Sequence, residues 1–239
     1  MSNTITIKDS KGNVVCSVES TVPVQHSSDL FAIVEEAQKT IESYRLECAK
    51  YANALQVMST ESFGENVKNV ATKFLQKVKQ FFQKVALWCK NTYGKIIISR
   101  IKNENMKSVL NNINDCLYLI AKDYYSIDQK ELNLVEGYEE RINRLISLTS
   151  KTMNCLQRAA FLCIKLEKDS KSSDVFKLFQ ISVKCLSVTE LRYIQVNVVS
   201  VEDEDMLEKT FNSVEGKIDE MNNFISSKLK EITEEVKKE

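Results

Sequence analysis

Chain breakers are scarce: the 239 residues include five glycines, one proline and one histidine. So few turn formers exclude most turn-rich all-β designs, whereas long helices need almost none. A single histidine removes the usual base-and-ligand arrangements of hydrolases and metalloenzymes, and no glycine-rich phosphate loop, H-E-x-x-H or G-x-S-x-G occurs. That histidine, His26, reads as a solvated loop residue near the only proline, Pro23. Lysines interrupt every apolar stretch, so no run of about 18 apolar residues offers a membrane span. Cysteine is present without pattern, as Cys16, Cys48, Cys89, Cys116, Cys155, Cys163 and Cys185, odd in number and with no C-x-x-C spacing. This argues against a zinc site and a disulfide framework, and for reduced thiols acting as small hydrophobes in a reducing compartment. The N-terminus MSNTITIKDSKGN lacks a basic segment followed by an apolar run, which predicts a chain made and kept in cytoplasm. Carboxylate pairs such as Glu35-Glu36, Glu139-Glu140 and Glu234-Glu235 fall on predicted polar helix faces, and no catalytic residues, cofactor or metal are expected.

What remains is a charged, helix-forming chain. Charged residues make up 28% and hydrophobic ones 43%, the balance of a folded soluble protein. The formal net charge of zero hides a division: residues 1–61 hold five Lys/Arg against eight Asp/Glu, leaving 28 against 25 in residues 62–239. Segment 62–107 carries Lys68, Lys73, Lys77, Lys79, Lys84, Lys90, Lys95, Arg100, Lys102 and Lys107 against only Glu65 and Glu104. Such a block attracts phosphate or acidic protein unless neighbouring acidic helices neutralise it.

Read in order, TITIK and VVCSVE on either side of Asp9–Asn13 predict a small N-terminal β-hairpin. A helix begins at Ser27 or Ser28, with Leu30, Val34, Ala37, Ile41, Tyr44, Cys48, Tyr51, Leu55 and Met58 in the alternating 4-3 spacing of a coiled-coil seam. Its carboxylates Asp29, Glu35, Glu36, Glu42 and Glu47 are expected to lie near the lysines that follow. Ser59 to Gly64 is a flexible joint, and a basic amphipathic helix spans 64–92. On that helix Phe74, Phe81, Phe82 and Trp88 share one apolar sector. Lys68, Lys79 and Lys90 border the sector on one side, and Lys73, Lys77 and Lys84 on the other. The cluster Ile96–Ile98 with Ile101 is read as helix. A stripe from Met106 to Tyr124 predicts the next helix, and the apolar positions from Leu132 to Cys163 one long helix running to about Lys168 with a kink near Gly137. The alternation of YIQVNVVSV at 193–201 fits a strand as well as a helix. A last helix covers 203–237. The fold class is therefore mainly α: a bundle of long antiparallel, coiled-coil-like helices with a small N-terminal β-hairpin.

Ser59-Thr60-Glu61, followed by Ser62, resembles the S/A/G-x-E cleavage signal of the prohead proteases of phiKZ-like giant bacteriophages. The sequence beyond it, Glu61-Ser62-Phe63-Gly64-Glu65 and then KFLQKVKQFFQKVALW, is similar to mature ends of internal head proteins in that group. The resemblance covers residues 59–92. Ser17-Val18-Glu19, Ser200-Val201-Glu202 and Ser213-Val214-Glu215 match the tripeptide too, but only Ser59–Glu61 joins an acidic segment to a basic helix. The resemblance implies a virion structural protein of the head interior, cut after Glu61 by a prohead protease and packed beside other virion proteins and phage DNA without sequence specificity. It implies a propeptide over 1–61 and a mature helical domain over 62–239. Two other readings stay open. A membrane-surface protein would use Phe74, Phe81, Phe82 and Trp88 as lipid anchors with the lysines at lipid phosphates. A cytoplasmic interaction module would use the helical seams for a partner protein.

Overall fold

Apolar residues spaced three and four apart draw most of the chain into helix, and the computed structural model describes residues 3–8, 14–20, 27–58, 65–126, 137–199 and 203–236. Two units emerge, Met1–Ala37 and Gln38–Glu239. In the first, β1 (Asn3–Lys8) pairs antiparallel with β2 (Val14–Ser20), Ile5 opposite Val18, with a register irregularity between Ile7 and Lys8. Residues 9–13 of the expected hairpin, and His26, lie outside the described residues. Helix α1 (Ser27–Met58) starts in this unit and runs on into the second.

The second unit contains α2 (Glu65–Leu87), α3 (Glu104–Ser126), α4 (Tyr138–Lys168), α5 (Ser172–Cys185), α6 (Val188–Asn197) and α7 (Glu204–Val236). Between α2 and α3 the chain winds as a π-helix, Trp88–Ile97, and a 3₁₀ turn, Ile98–Arg100, so the helix expected to span 64–92 changes its pitch at Trp88. The wider π turn brings residues five apart onto one face. Trp88 and Tyr93 use this to stack with ring centroids 4.9 Å apart, and the Tyr93 hydroxyl donates to the Leu156 carbonyl at 3.1 Å. Gly94 is required here, because a Cβ would lie 2.9 Å from the Cys89 carbonyl oxygen, which also accepts from Asn114 Nδ2 at 3.1 Å.

Helix ends follow local chemistry. Asn103 Oδ1 accepts from Met106 N at 2.9 Å to cap α3, Ser187 Oγ from Glu190 N at 3.3 Å to cap α6, and Asp203 Oδ1 from Met206 N at 2.9 Å to cap α7. Gly137, at φ 75°, precedes α4, which begins at Tyr138; residues 127–136, where the expected helix starts, lie outside the described residues. Region 193–201 is helical through Asn197. Leu191, Ile194 and Val198 are buried while Val196 is 68% exposed, a helical period that overrides the alternating sequence.

Successive strokes of the chain reverse direction. Glu47 meets Lys77 while the earlier Tyr44 meets Lys84, and Cys89 meets Asn114 while the earlier Phe82 meets the later Tyr124, so α1, α2 and α3 alternate. Helices α5 and α6 together make one broken return stroke, and α7 runs against α5 through Asp174–Lys228 and Lys184–Glu220. The expectation of antiparallel neighbours is nevertheless corrected for α4 and α7. Arg144 pairs with Glu208, Lys151 with Glu215 and Arg158 with Asn222, each partner 64 residues further on, so these two helices lie parallel. An intervening return stroke lets two ascending helices pack side by side.

Candidate functional site

The basic helix α2 is built on a face that the core consumes. Phe74, Phe81, Phe82 and Val85 are fully buried, Trp88 is 2% exposed, and Phe82 stacks on Tyr124 of α3 at 4.7 Å. The lipid-anchor reading of Phe74, Phe81, Phe82 and Trp88 is therefore corrected: their apolar surface is already covered inside the second unit. No described helix is long and apolar enough to cross a membrane.

The outer arc of α2 is polar, and its two lysine rows differ. Lys77 Nζ sits 2.6 Å from Glu47 of α1, whose hydrogen bond raises the lysine pKa above its ordinary value. Lys77 and Lys84 each place the ammonium 5.9 Å from the centroid of Tyr44, also on α1. This row faces a neighbouring helix. Of the other carboxylates expected to screen the lysines, Glu42 turns away instead, accepting from Arg45 at 2.7 Å and Ser150 at 3.2 Å. On the far border Lys68 and Lys90 are exposed and Lys79 half-buried, and between the rows Lys73, Gln76, Gln80 and Gln83 are largely exposed. Among the described residues Lys68, Lys73, Lys79 and Lys90 form no ion pair.

The cleavage residues Ser59, Glu61 and Ser62 lie outside the described residues, between the end of α1 at Met58 and the start of α2 at Glu65. Two of the competing tripeptides sit within regular elements. Ser213 and Glu215 are in α7, the first donating to Glu190 at 2.9 Å and the second paired with Arg144 and Lys151, while Ser17–Glu19 is in β2. Ser200–Glu202 is outside the described residues.

Against known proteins, the chain matches no family model, no curated protein and no solved structure.

Other chemistry-bearing groups are occupied by packing. Cys48, Cys89, Cys116, Cys155, Cys163 and Cys185 are free and buried. Burial pushes the Cys48 and Cys155 thiols up to about 12 and Cys116 to about 11, suppressing the nucleophilic thiolate. No group of three or more metal-ligating side chains occurs among the described residues. A cleft of about 520 Å³ opens where α4 and α7 begin, lined in part by Arg141, Arg144, Glu204, Glu208 and Phe211. Its charges answer one another: Arg141 donates to the Val198 carbonyl at 3.2 Å and lies 3.7 Å from Glu204, while Arg144 stacks 4.5 Å from the Phe211 centroid and pairs with Glu208. Sequence reasoning missed this clamp, since only the seven-residue spacing of Arg144, Lys151 and Arg158 hints at it.

Proposed function

We propose that the chain is a non-enzymatic structural protein of a phage virion, internal to the head, matured by proteolysis after Glu61 and packed against the genome. One observation carries the reading. Helix α1 covers the Lys77 and Lys84 border of α2 with Tyr44 and Glu47, and it stops at Met58, immediately before Ser59-Thr60-Glu61. A cut there would release the helix that occupies those cations. In this reading residues 1–61, a small hairpin and the acidic helix, are a propeptide. Residues 62–239 are the mature domain, made in the host cytoplasm and retained in the particle with other virion proteins. Of the competing tripeptides, Ser213–Glu215 would have to be unwound from α7 and Ser17–Glu19 pulled from β2 before a protease could take either as an extended segment.

Peptide mapping of the protein from mature particles tests this. A new N-terminus at Ser62 is expected. Glu61→Ala should leave the full chain in the particle, whereas Glu19→Ala, Glu202→Ala and Glu215→Ala should still permit loss of residues 1–61. Peptides spanning Thr60 to Phe63 at full abundance refute processing.

A second reading, a cytoplasmic interaction module, is favoured by α5, where Phe176 is 57% and Val183 54% exposed about two helical turns apart. Light scattering after size-exclusion chromatography separates the two: a strict monomer that captures no partner counts against the module.

A further inference from the structure

Residues 66–103 contain nine Lys/Arg and no Asp or Glu. Elsewhere in the second unit cations are commonly matched, Arg141 to Glu204, Lys151 to Glu215, Lys184 to Glu220 and Lys217 to Glu190 among them. Unmatched positive charge is thus concentrated on α2 and the π-helical segment. We infer that Lys68, Lys79 and Lys90, continued by Lys95 and Arg100, form a row that binds the phosphodiester backbone of nucleic acid without reading bases.

Geometry separates this row from the other lysines. Lys68 and Lys79, 11 residues apart on α2, fall within about 20° of one another and roughly 16 Å apart along it, so the row starts nearly parallel to the axis, and Lys90 follows in the first turn of the π-helix. It lies across the polar arc from Lys77 and Lys84, which α1 occupies, and among the described residues no carboxylate pairs with it. Lys68, Lys90, Lys95 and Arg100 are exposed. Asp115 of α3 lies close enough to Cys89 to raise its thiol pKa, yet pairs with none of the row.

The surroundings favour nucleic acid over the alternatives. The surface beside the row presents Gln76, Gln80 and Gln83, amides that donate to phosphate oxygens. None of the exposed large hydrophobic residues falls within 65–103, so this face has nothing to insert into a bilayer. The acidic α7 that a second copy could offer has Glu208, Glu215, Glu220 and Glu235 already paired with cations of its own chain.

The inference rests on the genome-side reading above but not on cleavage, and it is tested on the intact, uncut chain. Fluorescence anisotropy would follow binding to a labelled duplex of about 30 base pairs and random sequence, from roughly 50 to 200 mM salt. Replacing Lys68, Lys79 and Lys90 together with glutamine should reduce the slope of log K against log salt by about 2.7, at about 0.9 for each phosphate no longer neutralised. K77Q/K84Q should leave the slope unchanged. Circular dichroism verifies that both variants keep their helix. An unchanged slope in the triple variant overturns the row, and equal losses in both variants overturn its distinction from the covered lysines. Tighter binding to phosphatidylserine vesicles than to DNA at equal salt overturns it in favour of lipid. Salt-sensitive self-association in DNA-free sedimentation, abolished by the triple variant, overturns it in favour of a second copy. Any of these results leaves the appearance of a Ser62 N-terminus to be decided separately.

Discussion

Glu190 concentrates several interactions in one carboxylate. From α6 it accepts from Lys217 Nζ at 2.7 Å and Ser213 Oγ at 2.9 Å, both on α7. Burial pushes its pKa up, but the hydrogen bonds from Lys217 and Ser213 outweigh burial and hold it below the ordinary 4.5. A carboxyl depressed by folding stabilises the native state above the unfolded pKa, and that contribution drains away as pH falls through the folded value. Glu190→Gln should therefore cost about 1 kcal/mol at neutral pH, with the difference from wild type shrinking by about pH 3, as measured by urea unfolding at both pH values. The buried cysteines make the opposite kind of residue. With thiols raised by desolvation, Cys48, Cys116 and Cys155 should be labelled by an alkylating reagent only after unfolding, read by peptide mass. Their role as reduced small hydrophobes was legible from their places on apolar stripes.

At the scale of elements, the transition from α2 into the π-helix hinges on Gly94. Adding a methyl group 2.9 Å from the Cys89 carbonyl oxygen forces the backbone to shift, and with it the carbonyl to which Asn114 Nδ2 donates. Gly94→Ala should lower stability by about 1–3 kcal/mol, a fall in Tm of roughly 2–12 °C for a chain of this size, measured by thermal melting. The π turn itself was not legible. Its residues combine aromatic, glycine and β-branched types that periodicity alone reads as a kinked helix, and only the stacking of Trp88 on Tyr93 reveals why the wider pitch persists. The buried side of α2 and the span of α7 were legible, because their apolar positions recur at 3.6 residues over many turns. Which lysines are covered was not, since Lys77 and Lys84 differ from Lys73 and from Lys68, Lys79 and Lys90 only by which neighbour lies beyond them. Region 193–201 misleads for a related reason: its β-branched alternation is overridden by the Ser187 cap and by burial of Ile194 and Val198.

For the whole molecule, losing residues 1–61 would remove more than carboxylates. Within the second unit α1 contributes buried Ile41, Cys48, Ala52 and Leu55, so its departure would uncover apolar surface along with Lys77 and Lys84. Cutting the intact protein at Glu61 in vitro should raise both anilinonaphthalene-sulfonate fluorescence and the salt sensitivity of DNA binding. A cut chain that keeps α1 bound would show neither change. Helical content was legible from the scarcity of breakers, but the direction of α7 beside α4 was not, because periodicity does not say which helices become neighbours. That parallel pairing also sets a clock. Arg144 leaves the ribosome 64 residues before its partner Glu208, and at about 5–20 residues per second the interval is roughly 3–13 s. At each such position the side of α4 that α7 covers is made that long before its cover. In the meantime α5, made directly after α4, is the element at hand to lie against that surface.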